Sequence, residues 1–461
     1  MRESTSPVFS PTKRERERSY SLAGGLSVRV AVTRSPYGLE QADLFGMAAR
    51  KNKKRGFLFV SKALGKHIAV HPALGLTAGA LLGDLYATTM LGRKSTIDGD
   101  LVRSAFAGDS RSTDTLYKQL ITDKIRLNEP TLFIGFAETA TALGHSMFDI
   151  FAGNVAYAHS TRERVASMRP LLAFEEEHSH ATAHRCYADD ETLFREASRI
   201  VLVDDELTTG KTALNIIKEL HETFGQRDFV VASLLDWRSP ASRSRFADME
   251  RDLGVTIRCL SLMEGDIDVS GEPEEVTSEG TSEVEPSSVS VEGNFDRIDI
   301  SGLFAHAEAA YLKHTGRFGV TARQGEELDS EVAKAAEALR AVRTGRLIVC
   351  IGTGEFMFVP MRIAAQLGEG VVFQSTTRSP IHPLREPEYA VTSAYRFDAV
   401  DDSEVANFVY NIEPGQYDEA FVFVERTYDA EPGESFEMAL RELGIPSVRI
   451  VAFGGGSEIR L

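Results

Sequence analysis

Cysteine is scarce: Cys186, Cys259 and Cys350 stand far apart in 461 residues, with no CxxC pair and no zinc-ligand spacing. That excludes a disulfide scaffold and points to a reducing cytosol. Positive charge is short as well. Against 68 Asp and Glu there are 51 Lys and Arg, a net charge of −17, which excludes a general nucleic-acid binder because such proteins need a cationic face to displace counterions. A local basic pocket for a small polyanion is still allowed. The opening stretch, MRESTSPVFSPTKRERERSY, lacks the apolar h-region of a signal peptide, so residues 1–22 read as a solvated tail. The most apolar long run, ALGLTAGALLGDLYATTML, is interrupted by Asp84 and is too short and glycine-broken to span a bilayer. A cytoplasmic protein without membrane or nucleic-acid partners is expected.

Lys and Arg disappear entirely between Arg258 and Arg297, where Glu, Asp, Ser, Gly and Pro dominate. Such a segment cannot bury enough apolar surface to offset its ordering entropy. Residues 263–298 are therefore expected to be an acidic linker, with room for a short strand in SVSVEG. A chain this long suggests two domains, here 23–262 and 299–461. Hydrophobic residues at 43% and charged residues at 26% are ordinary for a globular protein. Before the linker, GFLFV, TLFIGF, NVAYAHS, RIVLVDD and FVVASLLDW predict strands, while ETATALGHSMFDIF and KTALNIIKELHETF carry helical spacing. After it, RLIVCIG, GVVFQS, AFVFVE and SVRIVAFG are strands, with EFMFVPMRIAAQL and SFEMALREL helical. Apolar strands alternating with helices predict α/β domains with parallel sheets.

The chemistry concentrates in IVLVDDELTTGKTALNIIKEL, residues 200–220. Its GKT is not a phosphate loop of the Walker type, which needs a glycine five positions before the glycine of GK[ST]; Asp205 stands there, and its carboxylate would point into the phosphate nest. The pattern reads differently. Thr208, Thr209, Gly210, Lys211 and Thr212 enter a helix, whose exposed N–H groups and positive dipole end favour a phosphate monoester. Asp204 and Asp205, just upstream, are placed to accept hydrogen bonds from two vicinal hydroxyls. A ribose 5-phosphate satisfies both halves.

VLVDDELTTGKT resembles the phosphoribosyl-pyrophosphate (PRPP) motif of type I phosphoribosyltransferases, especially the orotate phosphoribosyltransferase-like branch. The resemblance implies that family's fold, a parallel sheet with flanking helices and a hood. It implies that Asp204 and Asp205 hold the ribose and that Thr208 through Thr212 cradle the 5′-phosphate. It further implies a pyrophosphate loop with backbone amides at Glu138, Thr139 and Ala140. Many relatives carry Lys or Gly in that loop, and Glu138 departs from this; it either reaches the diphosphate through Mg²⁺ or caps the helix. A mobile catalytic loop would follow NVAYAHS, with Arg162 first and Arg164 second as the cation for the leaving pyrophosphate. His178, His180 and His184 beside Glu175, Glu176 and Glu177 lack zinc spacing, and no metal centre is assigned to them. In the hood, Lys62, Lys66 and His67 are basic groups after an apolar strand. Asp236 and Trp237 follow the fifth strand, where they would pair with and stack on an acceptor base; a Trp at a strand end is also a common core residue.

In the second half, Gly352-Thr353-Gly354 follows a strand, but Met357 occupies the third glycine position of a dinucleotide fingerprint, which excludes NAD binding by that motif. Together with Thr377, Arg378 and Ser379 in FQSTTRSPIHP, this turn offers amides, hydroxyls and a guanidinium for an anion. GTGEFMFVPMRIA, FQSTTRSPIHP and NFVYNIEPGQYDEAFVFVE resemble the TRSP domain, a second α/β, Rossmann-like unit C-terminal to such transferases. The domain pair is associated with bacterial stress and tellurite-resistance gene clusters. The resemblance implies a Mg²⁺-dependent enzyme that ribosylates a base-like acceptor from PRPP and releases pyrophosphate, in the synthesis of a nucleoside-like metabolite. The alternative is a non-catalytic PRPP sensor. A homodimer is compatible with either.

Overall fold

The structure, a computed structural model, describes residues 17–22, 25–51, 56–175, 183–271, 294–307, 311–400, 402–428 and 430–454. Strands as apolar as these need cover on both faces. The larger sheet runs, edge to edge, Glu17–Ser21, Ser27–Arg34, Thr256–Ser270, Asp228–Asp236, Arg199–Leu207, Ile125–Gly135, Phe151–His159 and Val320–Thr321. The five consecutive strands from Thr256–Ser270 to Phe151–His159 are mutually parallel. Their carboxyl ends therefore share one edge, where open α/β sheets keep their ligands. A separate antiparallel ribbon, Phe45–Ala49 with Phe57–Ser61, occupies the expected hood.

Two boundaries differ from expectation. Glu17–Ser21, inside the expected tail, pairs antiparallel with Ser27–Arg34. The strand Thr256–Ser270 runs on through residues 263–270 of the expected linker, pairing with the other side of Ser27–Arg34. Acidic composition hid the alternation: Ile267 and Val269 keep a strand's period while Asp268 meets Arg29 at 3.2 Å in solvent. At the far end, Asn294–Asp299 is already a strand of the second sheet. Residues 272–293, with the strand considered in SVSVEG, lie outside the described residues.

The second sheet is wholly parallel, in the order Asn294–Asp299, Ser447–Ala452, Glu419–Val424, Ile348–Gly352, Val371–Ser375. The two halves are not separate bodies on a tether. Val320–Thr321 extends the first sheet beside Phe151–His159. Ile381, Tyr389, Phe408 and Tyr410 pack into the first core, and Leu76 and Ala142 pack into the second.

The apolar run at 72–90 is one helix, Pro72–Met90, buried from Pro72 to Ala87. Glycine makes this burial feasible: a Cβ on Gly79 would lie 2.4 Å from the carbonyl oxygen of Leu143, so the two helices approach closely only without it. Among the described residues, no helix is long and apolar enough to cross a membrane.

Candidate active site

The strand Arg199–Leu207 is buried as far as Val203, and Asp204, Asp205 and Glu206 then emerge partly exposed at its end. Gly210 turns the chain into the helix Lys211–Phe224 with φ of 69°, a conformation that suits glycine; a Cβ there would also lie 2.5 Å from the Phe246 ring. The Asp205 amide donates to Asp204 Oδ1 at 2.9 Å, and the Lys211 amide donates to Thr209 Oγ1 at 3.3 Å. Asp204 through Ala213 line one side of an open cleft of about 1040 Å³. The acidic pair and the amide turn thus face the same space.

Lys66, His67, Glu138 and Arg162 line the same cleft. Lys66 is almost fully buried; its Nζ lies 3.3 Å from Glu138 Oε2 and donates to the Gly354 carbonyl at 2.9 Å. Burial pushes the Lys66 amine below its usual range, and Glu138 opposes that push. Glu138, expected to cap its helix or reach a metal, is instead the counter-ion of this lysine, with Oε1 buried and unpartnered. A buried cation from the segment that follows the hood ribbon thus reaches the Glu138 turn. His67 is equally buried, and neither ring nitrogen has a partner. Burial, then Lys66 and Arg50, hold its pKa at about 3, so it is neutral at pH 7.

Several expected residues are elsewhere. Lys62 donates to the Ala42 carbonyl at 2.9 Å and is not on the cleft wall. Asp236 is buried beneath Arg238 and Arg243, at 2.8 and 3.2 Å. Trp237 is core: it stacks on Phe59 at 5.3 Å and meets Phe45 edge-on. Neither lines the cleft. Arg164 is exposed and off the wall. His184 packs on Phe174 and shares a hydrogen bond with Ser160 Oγ at 3.0 Å. His178, His180, Glu176 and Glu177 lie outside the described residues. Among the described residues no group of three or more His, Cys, Asp or Glu could hold a metal ion.

The expected anion site of the second half is divided. Thr377 and Ser379 line the first cleft, where Thr377 Oγ1 and the Arg378 amide face Glu138 Oε2 at 3.4 Å. Gly354 donates its N–H to Thr376 Oγ1 at 2.8 Å, and Thr353 Oγ1 donates to the Phe423 carbonyl at 3.0 Å. Thr353 and Gly354 line a different cleft from Thr377 and Ser379, so these residues form no single anion pocket.

Sequence reading missed the residues that join the halves. Glu355 accepts from Thr161 Oγ1 at 2.6 Å and from the Arg162 amide at 2.7 Å. Arg317, almost fully buried, reaches Thr161, Glu163, Glu355 and Glu425 together. Burial raises the Glu355 carboxyl, but Arg317, His159 and the Thr161–Arg162 donors override it and hold the pKa at about 2. No local pattern marks Arg317; only a buried arginine amid three glutamates from distant segments reveals it.

Residues 44–266 match the family described as phosphoribosyl transferase, and residues 314–440 match the TRSP domain described as lying C-terminal to it. No curated protein matches the chain. Among solved structures, adenine phosphoribosyl transferase from Trypanosoma brucei aligns at 12% identity over 50% of this chain and 82% of its own, with a TM-score of 0.29. The Giardia lamblia enzyme complexed with 9-deazaadenine aligns at 16% identity over 36% and 82%, with a TM-score of 0.20. A hypoxanthine phosphoribosyltransferase from Staphylococcus aureus aligns at 9% over 39% and 71%, with a TM-score of 0.19. At these scores the structural likenesses carry no weight, and the assignment rests on the two family matches.

Proposed function

For a chain whose residues 44–266 belong to the phosphoribosyl transferase family and whose residues 314–440 are a TRSP domain, we propose transfer of the phosphoribosyl group of PRPP to a base-like acceptor, with release of pyrophosphate. One observation carries the reading: Asp204 and Asp205 share a single open cleft with the Thr208–Thr212 turn and with the cations Lys66 and Arg162. The carboxylates accept from the ribose hydroxyls, and the turn's amides hold the 5′-phosphate. As the C1–O bond breaks, positive charge grows on the ribose while the carboxylates beneath hold it in place. Negative charge grows on the leaving diphosphate, toward Lys66 and Arg162. Neutral His67, with both ring nitrogens unpartnered, can accept the N–H of an incoming heterocycle.

Mg²⁺ fits this donor set as an ion carried mainly by the diphosphate and water, with Asp204 or Asp205 as its protein contact. When bound it would neutralise the diphosphate's charge. A place in the synthesis of a nucleoside-like stress metabolite rests on kinship of the domain pair alone.

Incubation with PRPP, Mg²⁺ and a panel of free bases is expected to release pyrophosphate with at least one base. Mg²⁺-dependent binding of PRPP without pyrophosphate release from any base would instead favour the sensor.

A further inference from the structure

The second sheet has its own switch point. From Ile348–Gly352 the chain crosses to Val371–Ser375 on one side, and then returns to place Glu419–Val424 on the other. Ligands of open α/β sheets bind in the crevice outside the carboxyl ends of such a strand pair. A cleft opens there, lined by Thr353 through Phe356 after one strand and Glu425 through Thr427 after the other. The ribbon Ala394–Ala399 with Asp402–Tyr410 covers it with Phe397 and Asn407.

Two polar groups on its wall are unfinished. Asn407 is 4% exposed and Arg317 is 3% exposed, yet Asn407 Oδ1 and Arg317 Nε have no hydrogen-bond partner. Leaving a buried acceptor and a buried donor unmade is costly. The other polar groups are occupied: Glu163, Glu355 and Glu425 all engage Arg317, and Glu163 also holds Arg426.

We propose that this cleft is a second ligand site, for a polar nitrogen heterocycle, either a free base or its nucleoside. The ligand must donate to Asn407 and accept from Arg317 Nε, as the amide-like edge of a base does; Asn is a natural reader of such an edge. Phe397, Phe356 and Val424 give the flat apolar wall against which a ring packs. Charge decides against a phosphorylated ligand. Two guanidinium groups, Arg317 and Arg426, face three carboxylates, Glu163, Glu355 and Glu425, which leaves a negative excess. The site abuts the first cleft: Arg162 lines one and Glu163 the other, while Glu355 of the second cleft holds the Arg162 amide. The inference stands without PRPP chemistry in the first cleft.

The test is calorimetric titration of the full chain with uracil and hypoxanthine, uridine and inosine, and the two 5′-monophosphates. The wild type is expected to bind a base or nucleoside, and Asn407→Leu to weaken it about tenfold, the worth of one buried hydrogen bond. Asn407→Ser removes the amide without adding bulk and guards against misfolding of the leucine variant. PRPP binding should be unchanged in both, and Asp205→Asn should keep the Asn407-dependent binding. No binding of any base or nucleoside, equal binding by wild type and both Asn407 variants, or a monophosphate bound more tightly than its nucleoside would each overturn the proposal. Failure of PRPP to bind would leave this result intact and count only against the first cleft.

Discussion

Arg317→Met is expected to destabilise the folded chain by roughly 3–5 kcal/mol at pH 7, as when one partner of a buried ion network is removed. Arg317 is the hub for Glu163 at 3.2 Å, Glu355 at 3.3 Å and Glu425 at 2.9 Å, and its Nη1 donates to Thr161 at 2.6 Å. Methionine would keep much of the volume but leave Glu355 and Glu425 without their cation and Glu163 with Arg426 alone. The sign with pH follows. In the wild type, Glu355 is depressed from 4.5 to about 2, so its contribution is fully present above its unfolded pKa and is lost as pH falls toward 2. In the variant the carboxylates gain by protonating, so its deficit should shrink between pH 7 and pH 5. Urea unfolding of both proteins at the two pH values measures this. A loss under about 1 kcal/mol at pH 7, the value of a solvated surface pair, would contradict the network as described.

Asp205→Asn carries the second large effect. If Asp205 accepts a ribose hydroxyl, its neutral replacement should lose a charge-assisted hydrogen bond worth roughly 1.5–3 kcal/mol, or about a 10- to 150-fold loss of PRPP affinity. Stability should change little, since Asp205 sits partly exposed at the strand's end. Titration of PRPP in Mg²⁺ reads the affinity, and thermal unfolding controls for the fold. An unchanged affinity would remove the acidic pair from ribose binding.

Much of this site was legible in the sequence because it is local. Strand, acidic pair, turn and helix fall within residues 200–220, and local hydrogen bonding plus one positive-φ glycine suffices to build them. The strands at 131–136 and 154–160 were equally plain in their apolar runs. What sequence could not convey was which way a strand's last side chains turn. Asp236 and Trp237 follow the next strand just as Asp204 and Asp205 follow theirs, yet arginines and the hood ribbon bury them. Acidic composition makes the linker read longer than it is, because it outweighs an alternating pattern that pairs with Ser27–Arg34. The helix Pro72–Met90 escaped notice because a helix buried on all sides has no amphipathic period to detect.

Long-range electrostatics was the least legible part. Glu138 looked like an anomaly in a loop meant for pyrophosphate, and its meaning emerges only beside Lys66. The Gly352–Gly354 turn, followed by Glu355, reads in sequence as part of an anion site. In three dimensions the Gly354 carbonyl holds Lys66 and the Glu355 carboxylate holds the Arg162 segment, so the second half sets both cations of the first cleft. No pairing rule along the chain could link positions 193 residues apart.

The most direct test is a crystal structure of the chain with PRPP and Mg²⁺. The account predicts density for the ribose hydroxyls against Asp204 and Asp205, the 5′-phosphate on the amides of 208–212, and the diphosphate toward Lys66 and Arg162. A ribose bound with its diol away from both carboxylates, or its 5′-phosphate seated anywhere but that turn, would contradict it.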